Sequence, residues 1–138
     1  MSRKMKAFNL ILALIFALFA AVQLNDPDPW GWVALYGWVA AVSALAAFGR
    51  RYPWQIYLGL AASIAGMALW MPDFIGWIRM GMPTIAGSMK AEAPHIELAR
   101  EFLGLLLAAL VFSWHGHSQR QAARKQISAP AAEKQKNA

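Results

Sequence analysis

Three long runs without a charged side chain constrain this sequence more than any other feature: Ala7–Leu24, Trp30–Phe48 and Trp54–Met71. A bilayer core of about 30 Å takes roughly 20 apolar residues of helix, each rising about 1.5 Å. Each run therefore reads as a membrane span. A fourth, Ile96–Trp114, reaches that length only with its first turn, where Glu97, Arg100 and Glu101 lie, so that turn belongs at the membrane boundary. The expected fold is all-α, an integral membrane four-helix bundle. Its spans cover about residues 7–24, 30–48, 54–71 and 96–114, within one membrane domain over 1–117. With 59% of 138 residues hydrophobic and only 14% charged, the chain is no disordered polymer and a poor candidate for a soluble globule. The absence of cysteine excludes disulfides, thiolate nucleophiles and iron–sulfur ligation by this chain. The first run exceeds the usual core of a secretory signal and lacks a small-x-small site at its end, so it reads as an uncleaved span.

Lysine and arginine placement sets the expected orientation. Arg3, Lys4, Lys6, Arg50, Arg51, Arg120, Arg124, Lys125, Lys134 and Lys136 all fall on one side of the four spans. Only Arg79, Lys90 and Arg100 fall on the other. Both termini are expected in the cytoplasm, and a bacterial source would place the chain in the inner membrane. The net charge of +6 follows from this segregation, and no basic face points to nucleic acid. Trp30, Trp32, Trp70 and Trp77 mark the outer boundary and Tyr52, Trp54, Tyr57 and Trp114 the inner one. Trp38 lies deeper and is expected between helices.

The links carry their own signals. In Asn25-Asp26-Pro27-Asp28-Pro29, Asp28 reads as an N-cap and Pro29 as the first helical residue, with Asn25 left-handed at the end of span one. So short a link makes spans one and two antiparallel neighbours, and Gly49–Pro53 predicts the same for spans two and three. Phe74–Met82 reads as a short interfacial helix capped by Asp73, or as a re-entrant segment broken by glycine and proline. Residues 118–138 are polar and basic and are expected to form a flexible cytoplasmic tail. Gly59–Ser63, Ala62–Gly66 and Gly104–Ala108 have the spacing that lets helices approach closely, which suits a compact bundle or a homo-oligomer. No internal repeat supports an inverted-repeat transporter.

Six of the seven acids face the outer side, concentrated where spans two and four begin. Asn25, Asp26, Asp28, Glu97, Arg100 and Glu101 form the candidate ligand-binding set. Should the two helix starts meet, the carboxylates would share one pocket. Asp26, Asp28 and Glu101 are the candidate metal ligands, as hard oxygen donors for calcium, magnesium or manganese, and His95 would admit zinc. Two crowded carboxylates could instead share a proton as an acid/base pair, or hold a cationic group. The plain alternative is structural: Asp28 caps a helix, Glu97 and Glu101 complement a helix dipole, and Arg100 neutralises them. In Trp114-His115-Gly116-His117 the two imidazoles diverge on a helix, so they read as interfacial histidines rather than a metal pair. With no histidine inside a span, the chain is not by itself a cytochrome b. Asn9, Ser43 and Ser63 are expected to bond neighbouring helices. No ionisable residue occupies a span centre, which argues against proton-coupled transport.

Leu24-Asn25-Asp26-Pro27-Asp28-Pro29 followed by Trp30, together with Arg100-Glu101-Phe102-Leu103-Gly104-Leu105, resembles the transmembrane protein 220 family. The resemblance covers about Lys6–His115. It implies a small four-span membrane protein of a kind found in bacteria and animals, and it carries over no mechanism, because no biochemical activity is established for the family. It adds weight to Asn25, Asp26, Asp28, Arg100 and Glu101 as motif positions.

Three functions remain open on the sequence. The first is a binding or accessory protein with an acidic outward-facing site for a cation, a small ligand or a partner protein. The second is a membrane enzyme using paired carboxylates on a lipid-like substrate. The third is a structural subunit of a larger membrane complex. The lipid bilayer is the one partner the residues imply directly, and they name no cofactor.

Overall fold

The computed structural model describes residues 2–25, 28–82 and 94–137, with backbone only for 94–96. Four helices follow one another: α1 (Arg3–Gln23), α2 (Trp30–Ala47), α3 (Pro53–Arg79) and α4 (Pro94–Lys136). All four are long and apolar enough to cross a bilayer. Spanning lipid obliges each backbone amide to find its partner within its own helix.

The helix ends follow local chemistry. The Ser2 side chain accepts the Met5 amide at the start of α1. Pro53 occupies the first turn of α3, where its missing donor costs nothing. After α2, Gly49 turns left-handed at φ 76°, its amide reaches Ala46 and the Arg50 amide reaches Leu45, which closes the helix and redirects the chain. The start of α2 departs from expectation. Pro29 takes the N-cap position, no side chain caps the helix, and Asp28 lies one residue outside it. Asn25 is not left-handed either; Leu24 ends α1 in an ordinary right-handed conformation.

α3 corrects a second expectation. The stretch after Met71 forms no separate interfacial helix: α3 runs through Pro72 and Asp73 to Arg79, a length of about 40 Å. A proline inside a helix removes one backbone bond and costs about 3 kcal/mol. Packing beyond it offsets this loss. Phe74 stacks on Phe102 of α4 with ring centroids 4.0 Å apart, and Trp77 lies against Phe74. Gly81, at φ 87°, ends the helix in the same manner as Gly49. Residues 118–136, read from sequence as a polar tail, continue α4 as a helix with its side chains mostly exposed. Alanine, glutamine, lysine and arginine there are all good helix formers.

Packing divides the bundle into two hairpins. α1 lies along α2 and α3 along α4, while α2 makes the main joint between the hairpins, touching α4 and α3. The short Gly49–Pro53 link therefore leaves α2 and α3 only lightly packed. Close approach decides the pairing. A Cβ at Gly59 would overlap the Phe112 ring, one at Gly66 would lie 2.8 Å from Leu105, and one at Gly104 would overlap the Tyr36 hydroxyl. The small-residue faces are thus used within the chain, which removes their support for an oligomer.

The core gathers Phe16, Tyr36, Val39, Val42, Ile56, Ala108 and Phe112, with Trp38 edge-on to Phe112. Ile11, Leu14, Leu18, Leu58, Leu69, Leu107 and Leu110 point outward, where lipid is the solvent. Among the polar residues, Ser43 bonds across to His115 Nε2 at 2.9 Å. Ser63 bonds instead to Gly59 in its own helix. His115 is therefore held between helices and wholly buried, while His117, two places on, is exposed.

Candidate functional site

Three helices build a cleft at the acidic end of the bundle. α4 contributes Glu97, Glu101 and Leu105, each one turn below the last, so a single face descends from charge to apolar wall. α3 contributes Ala62, Gly66 and Trp70 at the same spacing. Asp28 enters from the link before α2, followed by Gly31, Trp32 and Leu35. The cavity holds about 440 Å³, within the range of small-ligand sites. α1 supplies none of its lining.

The carboxylates differ in setting. Asp28 and Glu97 are exposed at the mouth, whereas Glu101 is half-buried and accepts a hydrogen bond from the indole Nε1 of Trp70 at 2.5 Å. A bond of this kind to a charged acceptor is stronger than one between neutral groups. One turn deeper, the Tyr36 hydroxyl lies against Gly104. Among the described residues no basic side chain lines the cleft.

The Arg100–Leu105 stretch acquires a physical meaning here. Glu101 meets Trp70, Phe102 meets Phe74, Gly104 makes room for Tyr36, and Leu105 covers Gly66. Four of its six residues thus bind α4 to α3 and α2 around the cleft floor.

Of the residues singled out in the sequence, Asp28, Glu97 and Glu101 converge on this cleft. Asn25 is exposed at the end of α1, and Arg100 lies outside the lining. Asp26 falls outside the described residues, as does the His95 side chain. Among the described residues no group of three or more His, Asp or Glu is arranged to hold a metal ion. Trp32 and Trp70 escaped the sequence reading as site residues because interfacial indoles explained them equally well. The one available signal was the four-residue spacing of Ala62, Gly66 and Trp70, a groove of small residues ending in a hydrogen-bond donor.

Fold and cleft together define a multi-pass membrane protein whose four-helix bundle opens at one end into an acidic, indole-lined recess. Residues 15–117 match the family described as Transmembrane family 220, helix, and the chain belongs to that family. No curated relative and no solved structure matches it.

Proposed function

We propose that the protein binds a small organic cation in the cleft of Asp28, Glu97 and Glu101, with that cleft facing outward and both termini in the cytoplasm. One observation carries the reading: three carboxylates and two indoles share a single recess that, among the described residues, no basic side chain lines. Carboxylates attract a positive charge, and tryptophan faces favour a weakly hydrated cation such as an alkylammonium over a strongly hydrated metal ion. The apolar floor of Leu35 and Leu105 suits the alkyl part of such a ligand. A binding or accessory role follows more directly than catalysis, since charge attraction and an apolar floor suffice to hold a cation and call for no reacting partner.

Equilibrium dialysis of tetraethylammonium against the protein in lipid nanodiscs tests this. Binding is expected, weakened about tenfold by Glu101→Gln, which removes the charge while keeping an oxygen for the Trp70 donor. Absent ammonium binding, with calcium or magnesium raising the melting temperature instead, would replace the organic cation by a metal. Orientation is tested separately. In this cysteine-free chain, a membrane-impermeant maleimide on intact cells is expected to label Asp73→Cys and to spare Arg50→Cys. Labelling in the opposite sense would turn the protein over.

A further inference from the structure

The opposite end of the bundle holds a second cavity, of about 380 Å³, with the reverse charge. Arg51 of the α2–α3 link and Lys125 of α4 line it, with Ser118 and Gln121 on the same stretch of α4 and Met5 from the first turns of α1. Among the described residues no carboxylate contributes to it. Ser118, Gln121 and Lys125 are three and four residues apart, so one face of α4 presents them together.

Arg51 is the informative member. It is half-buried, and its Nε is enclosed with no hydrogen-bond partner among the described residues. Burial lowers its pKa from the ordinary guanidinium value, yet arginine stays charged at physiological pH. A guanidinium partly withdrawn from water, with no carboxylate among the described residues of its cavity, is unfavourable, and it presents a donor fork suited to phosphate oxygens. Location adds to this. Gly49 and Arg51 directly follow the last turn of α2, and Met5 lies in the first turns of α1. The cavity therefore opens where spans leave the apolar layer and headgroup phosphates begin. Basic pockets between spans at this level are a recurrent form of anionic-lipid recognition.

We propose that this cavity binds a phosphate group, with Arg51 and Lys125 as its charge partners and Ser118 and Gln121 as its hydrogen-bonding neighbours. The phosphate can belong to an anionic lipid headgroup or to a soluble ion; the chemistry at Arg51 is the same.

The test uses the full chain in nanodiscs of phosphatidylcholine alone or with phosphatidylglycerol added. Native mass spectrometry reads retained anionic lipid, and the shift in melting temperature reads inorganic phosphate in the phosphatidylcholine discs. Retention of phosphatidylglycerol with no phosphate response identifies a lipid headgroup, whereas a phosphate response in the neutral discs identifies a soluble ligand. In either case Arg51→Gln and Lys125→Gln are each expected to weaken binding about fivefold. Arg51→Lys keeps the charge without the donor fork and is expected to retain only part of it. Arg124→Gln removes the same charge from a neighbouring residue outside the lining and is expected to change nothing. Should Arg51→Gln fail to fold, the exposed Lys125 carries the comparison. Equal losses in Lys125→Gln and Arg124→Gln, or no binding of either probe, would overturn the proposal.

Discussion

Gly59→Ala is expected to destabilise the bundle by about 1–3 kcal/mol, the usual cost of forcing an extra carbon into a packed core. Its new methyl would enter the space of the Phe112 ring, which is wholly buried and cannot swing into lipid. Helices in a bilayer gain little from hiding apolar surface, because lipid tails are as apolar as the core, so close contact is what holds them together. Separating α3 from α4 by even a few tenths of an ångström therefore removes dispersion contacts along their whole interface. Phe112→Leu alone opens a cavity and should also destabilise. Combined with Gly59→Ala it should recover part of the loss, because the smaller side chain makes room for the methyl. Reversible unfolding in mixed micelles measures all three variants. Strict additivity of the single losses would show that the two residues do not share one space.

Trp70→Phe is expected to cost about 1.5–3 kcal/mol, the range for a hydrogen bond to a charged group, since it withdraws a donor from the half-buried Glu101. Adding Glu101→Leu should restore much of this stability, because removing both partners leaves no carboxylate to be solvated. The same double variant should lose the tetraethylammonium binding expected of the parent. Stability and ligand affinity then move in opposite directions, a result that a purely structural Glu101 would not produce. Should the double variant bind the ammonium ion as well as the parent, Glu101 belongs to the scaffold and not to the site.

How much of this was open to a reader of the sequence varies by element. Trp30–Phe48 announced α2 to within one residue and Ala7–Leu24 announced α1 except for its first turn, which starts at Arg3, since a helix in lipid must be continuous, apolar and of set length. The far end of α3 was hidden. Pro72 and Asp73 are strong local stop signals, and they were overruled by Phe74 stacking on a residue 28 positions away. The burial of His115 was hidden for a related reason. Basic residues soon after it marked a boundary, but burial depends on the facing helix, where Ser43 waits. The acidic half of the cleft was legible because Asp28, Glu97 and Glu101 lie at predictable helix starts. Its aromatic half was not, because an indole at an interface looks the same in sequence whether it meets lipid or Glu101.

The amino-acid sequence by itself determined the solvent, the number of spans and the segregation of charge, because these depend only on local composition and on run length against bilayer thickness. Tertiary structure alone decided which helices pair, which glycines receive a neighbour's ring, and that carboxylates from α4 and the α2 link face two tryptophans across one recess. Those outcomes rest on shape complementarity between segments far apart in the chain, which no local pattern encodes.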